Sequence, residues 1–400
     1  MKVKANYCIP ENYQKTILDS FLSIKELEIF NNNKYTILPG FCDVHVHFRE
    51  PGFSYKGTIK QGALAAAHGG YTAVCTMPNL KPVPDSLENL KIQQDIIDRD
   101  AIIDVYPYGA ITVGEKGQEL SDMDGMKDKV IAFSDDGCGL QRKEMMELAM
   151  QKAASLDKII VAHCEVNKLL NGGYIHDGEY AKKHNHRGIC SASEYEQIAR
   201  DCEIAKKYGA KYHVCHISTK ESVEIIRQAK KDGVNVTCET APHYLILDET
   251  CLKEYGKWKM NPPLRGVEDR LALIEGIKDG TIDVIATDHA PHSDEEKSRG
   301  LEKSPFGVVG LECAFEELYT NLVLKGVISL EKLIELLVVN PRKRFSIPLD
   351  GAFSIWDLNK EMIIDSSTFL SKGRATPFDG DKVYGENQVT VLKNNIVYKR

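Results

Sequence analysis

The apolar positions of the chain gather in short runs, and stretches with helical spacing separate them. The runs are 36–44 "TILPGFCDV", 71–76 "YTAVCT", 102–108 "IIDVYPY", 130–133 "VIAF", 158–162 "KIIVA", 211–215 "KYHVC", 234–239 "VNVTCE" and 282–287 "IDVIAT". Strands buried on both faces of a parallel sheet read as continuous apolar runs of this kind. Between them lie amphipathic segments, among them 58–68 "TIKQGALAAAH", 143–155 "KEMMELAMQKAAS", 193–208 "SEYEQIARDCEIAKKY" and 219–231 "TKESVEIIRQAKK". Eight strands in series joined by helices predict an α/β chain folded as a (β/α)8 TIM-like barrel. An open doubly wound sheet is the alternative, but no glycine-rich phosphate turn follows the first strand.

Beyond the eighth run the pattern changes. Helical spacing at 310–324 and 329–339 stops at Asn340-Pro341, and "GAFSIWDL", "KEMIIDSS" and "QVTVLKNNIVYK" read as strands with an Asn-Asn turn. Residues 1–35 alternate weakly. The expected organisation is a barrel over 39–340 beside a small β unit made jointly by 1–38 and 341–400.

A hydrophobic content of 42% and a charged content of 27% fit an ordinary soluble domain, and the net charge of −7 argues against a nucleic-acid or anionic-membrane partner. The eleven cysteines are scattered without a C-x-x-C pair, and Cys75, Cys164 and Cys215 lie inside apolar runs. That usage predicts reduced, buried thiols in a cytoplasmic protein. No signal peptide is expected from "MKVKANYCIPENYQK", and no run approaches the roughly 20 apolar residues of a membrane helix.

Parallel α/β barrels gather functional groups at the C-terminal ends of their strands. The first run ends in His45 and His47, the second in "MPN" with Asn79, the fourth in "SDDG" with Asp135 and Asp136. The fifth ends in His163, the sixth in His216, and the eighth in "TDHAPH" with Asp288, His289 and His292. His45 and His47 stand at i and i+2 on a strand and so face the same way. Imidazoles and carboxylates are the usual ligands of catalytic zinc. Six of them exceed the needs of one tetrahedral ion and suit two metals bridged by a carboxylate and a hydroxide. Adjacency alone does not say which of Asp135 and Asp136 joins them.

The motifs "DVHVHFREPG", "TMPN", "AFSDDG", "VAHCE", "CHIST", "NPPLR" and "ATDHAPH" resemble, in content and order, the dihydroorotases of the cyclic amidohydrolase branch, in their class I bacterial form. They span residues 39–310. The resemblance implies that His45, His47 and Asp288 hold one zinc, that His163 and His216 hold a second, and that Asp136 and a hydroxide bridge them. Many relatives bridge with a carbamylated lysine. Lys127 and Lys129 both precede the fourth strand here, so no modified lysine is expected. The implied activity is reversible cyclisation of N-carbamoyl-L-aspartate to L-dihydroorotate in pyrimidine synthesis, with Asp288 as the acid and base. Arg49 continues the i, i+2 series from His47. The resemblance gives it the substrate carboxylate, a bidentate partner for a guanidinium, and adds His47, Asn79, Asn261, His292 and the backbone of Phe306 and Gly307 as further contacts. A salt bridge from Arg49 to Glu50 is the bland alternative. The long polar loop 289–307 reads as a mobile lid.

Hydantoinases, dihydropyrimidinases and allantoinases open related rings without this carboxylate and have no need of Arg49. A non-catalytic scaffold of aspartate transcarbamoylase would have lost metal ligands, and this chain keeps all six. A homodimer and association with aspartate transcarbamoylase are further partners that the resemblance suggests.

Overall fold

The computed structural model describes residues 2–400. Eight parallel strands form the barrel: Phe41–Val46, Tyr71–Thr76, Asp104–Pro107, Phe133–Ser134, Ile159–Ala162, Lys211–Val214, Val236–Thr240 and Val284–Ile285. Each pairs with its sequential neighbour. The third strand resumes after Tyr108 as Gly109–Ala110, and there it meets the fourth. The ring closes through a parallel bridge between Val46 and His289, where His47 N–H donates to His289 O at 2.8 Å. Small and medium side chains fill the interior, Cys42, Val44, Ala73, Cys75, Val161, Cys215 and Val284 among them. All eleven cysteines are free thiols.

The helices begin and end where side chains favour it. Thr58 caps Ile59–His68 through a reciprocal pair with Gln61, and Thr219 caps Lys220–Lys231 by accepting from Ser222 N–H. Ala192–Tyr208 ends at Gly209 in the left-handed region. No helix among the described residues is long and apolar enough to cross a membrane.

The structure departs from the sequence pattern at three places. The run 36–44 is two strands. Thr36–Pro39 leaves the barrel and pairs antiparallel with Phe353–Ile363, whereas Phe41–Val46 enters it. Both halves are fully buried, so the apolar run does not register the break. Gly40 marks it, since a Cβ there would lie 2.3 Å from Thr72 Oγ1. Secondly, Asn340-Pro341 does not stop the last helix. The segment Leu330–Ile334 widens into a π-helical turn at Glu335–Val339, and the helix continues as Asn340–Phe345. The wider turn accommodates a proline that cannot donate, and the helix crosses the boundary expected at 340. Its Arg342 donates to Gly40 O and Thr72 Oγ1, and Phe345 packs on Tyr108 and His213, which seals the N-terminal end of the barrel. Thirdly, the final hairpin turns at Lys393 and Asn394, with φ +50° and +62°, one residue earlier than the Asn-Asn pair.

Strands from both termini share one sheet, in the order Asn6–Tyr7, Thr36–Pro39, Phe353–Ile363, Lys382–Leu392, Asn395–Lys399. Phe315 joins this sheet to the barrel by packing on Phe41 and Trp356. Its neighbour Glu316 is buried, its Oε2 has no partner, and burial pushes its carboxyl up to about 8. The folded state therefore holds a proton there that the unfolded chain releases near 4.5. This contribution to stability is complete below about pH 4.5 and is lost as pH rises through about 8. Glu316→Gln should flatten the fall in Tm between pH 6 and pH 9 by a few degrees, read by thermal unfolding. Parallel curves for the two proteins would contradict the assignment.

Candidate active site

The strand ends deliver their polar side chains to one cavity of about 200 Å³. Its lining includes His47, Arg49, Asn79, Asp136, His163, His216, Asn261, Asp288, His292, Phe306 and Gly307. His45 lies just beneath, fully buried. His47 Nε2 is 3.1 Å from Asp288 Oδ1, and His45 Nε2 is 3.5 Å from the same oxygen. Asp136 faces four imidazoles, with His45 at 3.4 Å, His47 at 3.5 Å, His216 at 3.7 Å and His163 at 3.9 Å. His163 Nδ1 and His216 Nε2 stand 3.0 Å apart. His216 and Asp288 carry left-handed backbone, with φ +30° and +49°. Such strain at a non-glycine residue costs of order 1–3 kcal/mol and gathers at functional sites.

Four buried atoms in this cluster lack any hydrogen-bond partner: His45 Nε2, Asp136 Oδ1, His163 Nε2 and His216 Nδ1. Buried polar atoms are normally satisfied. Burial alone would raise the Asp136 carboxyl, but the imidazoles of His45, His216 and His47 outweigh it and hold the group well below the usual range. Asp288 is likewise lowered against its burial, chiefly by His47 and His45. Two ionised carboxylates and several unpartnered imidazole nitrogens form the donor set of a divalent cation. The atoms of His45, His47 and Asp288, and of His45, Asp136 and His216, lie close enough together to share an ion.

The two adjacent aspartates take opposite roles. Asp135 turns away from the cluster and accepts from Ile111 N–H at 2.7 Å, Thr112 N–H at 3.0 Å and the Thr112 hydroxyl. Asp136 alone points inward.

Arg49 is nearly buried. Its Nε donates to Pro291 O at 3.1 Å, and one terminal nitrogen lies 3.4 Å from His292 Nε2. It forms no ion pair among the described residues, and Glu50 instead accepts from Ile59 N–H. Burial pulls Arg49 down to about 10, which leaves it cationic at neutral pH. His292 takes Lys56 Nζ on Nδ1 at 3.1 Å and donates from Nε2 to Phe306 O at 2.8 Å. Burial, Arg49 and Lys56 push it down to about 3, so the imidazole is neutral. Asn79 Oδ1 accepts from His47 Nδ1–H at 3.0 Å, and Asn261 Nδ2 donates to Glu165 Oε1 at 2.7 Å. The segment 289–307 is no bare loop, since it folds into Asp294–Lys297 and Gly300–Lys303. His289 faces away, where Nδ1 accepts from Gly310 and Leu311 N–H and Nε2 meets Ser371.

Sequence reasoning missed Glu239. It lies next to the end of the seventh strand, accepts from His45 Nδ1–H at 2.6 Å, and lies 3.1 Å from His213 Nε2. A carboxylate behind a ligating histidine fixes its tautomer and ring orientation. The signal was present, as a glutamate closing the apolar run "VNVTCE". Glu165, 3.8 Å from His163 Nε2, was missed too.

A family profile described as Dihydro-orotase-like matches residues 34–222. The dihydroorotase of Bacillus cytotoxicus is 48% identical over 388 residues, which cover 95% of this chain and 91% of that protein. That of Fusobacterium nucleatum is 48% identical over 403 residues, covering 99% and 95%. Among solved structures, the L-hydantoinase (dihydropyrimidinase) of Arthrobacter aurescens superposes with a TM-score of 0.81 at 25% identity, over 91% of this chain and 85% of that one. A dihydropyrimidinase from Brevibacillus agri gives 0.78 at 22% identity, over 92% and 85%, and so shares the fold.

Glu239→Gln should weaken metal affinity about 10–100-fold, measured by competition with a chromophoric chelator. An unchanged affinity would remove Glu239 from any part in the site.

Proposed function

The chain belongs to the dihydroorotase family and interconverts N-carbamoyl-L-aspartate and L-dihydroorotate in pyrimidine synthesis, and we propose that the residues of its cavity divide that work as follows. It is a metal-dependent cyclic amidohydrolase. We assign the metal as zinc, two per chain, with His45, His47 and Asp288 at one position, His163 and His216 at the other, and Asp136 between them. The four unpartnered buried atoms and the low carboxylates support this set. Such a metal, when bound, lowers the pKa of water toward about 7 and polarises a carbonyl.

The chain's own groups then orient the ring and move its proton. Arg49 holds the exocyclic carboxylate of dihydroorotate, with Asn79 and His292 beside it. A buried cation without an anionic partner is the observation that carries this reading. Asn261 and the backbone at Phe306-Gly307 hold the ring amide. Asp288, ionised and 3.1 Å from His47 Nε2, accepts the proton of the attacking water and returns it to the departing amide nitrogen. In the cyclising direction Asp288 takes the proton from the carbamoyl nitrogen and gives it to the leaving water.

The barrel resembles those of hydantoinases, whose rings lack this carboxylate, and Arg49 is what favours the dihydroorotase reading over theirs. We further propose residues 1–38 and 341–400 as one β unit attached to the barrel. From family resemblance we propose a cytoplasmic homodimer able to associate with aspartate transcarbamoylase, testable by sedimentation of the chain alone and with that enzyme.

Arg49→Met should raise KM for L-dihydroorotate about 30- to 150-fold while bound metal stays at the wild-type level, since a charged bidentate pair contributes about 2–3 kcal/mol. Steady-state kinetics and elemental analysis on one preparation test both halves. Loss of metal with intact substrate binding would defeat the assignment.

A further inference from the structure

Lys297 is a buried cation that forms no ion pair within 4.0 Å among the described residues. It lies at the end of the short helix Asp294–Lys297, and only 7% of it is exposed. Its Nζ donates to three backbone carbonyls, Lys259 O at 3.2 Å, Pro305 O at 3.0 Å and Gly307 O at 2.7 Å. Three acceptors use all three donors of an ammonium. Burying a charge away from a counter-charge is unfavourable, and burial, aided by Lys259, draws this group down to about 7. A lysine held there at that cost is held for the bonds its Nζ makes.

Those bonds join two segments that flank the substrate cavity. Lys259 lies two residues before Asn261, and Pro305 and Gly307 bracket Phe306. The two backbones already meet where Gly307 N–H donates to Lys259 O at 3.1 Å, and Lys297 bonds to the carbonyls of both residues. His292 Nε2 takes the remaining carbonyl of the strip, that of Phe306, at 2.8 Å. All three carbonyls of 305–307 are thereby tied. Gly307 has φ +124°, and a Cβ there would stand 2.9 Å from Ala290 and 3.1 Å from His292 Nε2. The strip thus lies too close to its neighbours to carry a side chain at Gly307, and among the described residues Lys297 is the only side chain that hydrogen-bonds backbone carbonyls of both segments.

We propose that Lys297 is a positioning residue for substrate, an ammonium clip that holds Phe306-Gly307 at a fixed distance from Asn261 so that the two sides of the ring amide are met together. This rests on the proposed assignment of Asn261 and Phe306-Gly307 as ring contacts. The clip touches neither substrate nor metal. Its removal therefore costs uniform binding of ground and transition state, which appears in KM and not in kcat.

The test uses the metal-loaded enzyme and L-dihydroorotate. Lys297→Met keeps the aliphatic stem and removes the donors, and Lys297→Gln replaces it if the Met protein does not accumulate. Lys297→Arg restores donors. A cavity of about 620 Å³ on the outer side of Lys297, lined also by Lys257, Ser298 and Arg374, leaves room for the longer group. Asn261→Ala reports on the ring contact itself. The expected result is a KM raised about tenfold or more in Lys297→Met, with kcat within about twofold, unchanged metal content, and most of the loss recovered in Lys297→Arg. An unchanged KM in Lys297→Met alongside a raised KM in Asn261→Ala would overturn the clip and leave the contacts standing. A proportional loss of kcat and metal would also overturn it, by showing a general structural role. An unchanged KM in Asn261→Ala would overturn the contact assignment itself.

Discussion

The seam between the first and eighth barrel strands is the constraint on which the site depends. Asp43 is fully buried there. One carboxylate oxygen accepts from His45 N–H at 3.0 Å and the other from Thr287 N–H at 3.0 Å. A few residues on, His47 N–H meets His289 O. These bonds fix the register of two strands at the ends where His45, His47 and Asp288 emerge. His47 and Asp288, 241 positions apart in the chain, come within 3.1 Å as a result. A slip of one residue would turn His45 and His47 to the outer face. Burial raises the Asp43 carboxyl to about 7, a cost accepted at the one point where the ring must close.

The electrostatics of the cavity follow from what surrounds it. Asp136 and Asp288 sit among imidazoles, whereas Arg49 and Lys56 meet at His292. Lys56 is matched by Glu296 at 3.2 Å, and Lys297 by backbone carbonyls. Arg49 lines the same cavity as the cluster and forms no ion pair among the described residues. On the proposed assignment, the imidazole–carboxylate cluster would take the metal and Arg49 the carboxylate of the ring. Hydantoinases share the fold, and a shared fold does not by itself fix the chemistry.

Much of this was legible in the sequence, for reasons that differ by residue. Barrel strands announce themselves because burial on both faces keeps the runs largely apolar, and the helices because Thr58 and Thr219 cap where the amphipathic pattern starts. Clustering of the histidines and aspartates could be read because fold geometry brings strand ends together. Burial patterns failed where two buried strands abut, at Gly40, and proline failed as a stop signal where a π-helical turn absorbs it, at Pro341. Asp135 and Asp136 could not be separated by adjacency, since only the turn after the fourth strand decides which carboxylate faces inward. Glu239 was overlooked because its role is to hold His45, and a group that acts through another residue leaves no spacing motif.

Elemental analysis of protein purified without chelator or added metal, with turnover of L-dihydroorotate measured on the same sample, tests the central claim most directly. Two equivalents of a divalent transition metal per chain are expected, with turnover that falls as the metal is removed. A metal-free chain that turns over L-dihydroorotate at full rate would contradict it.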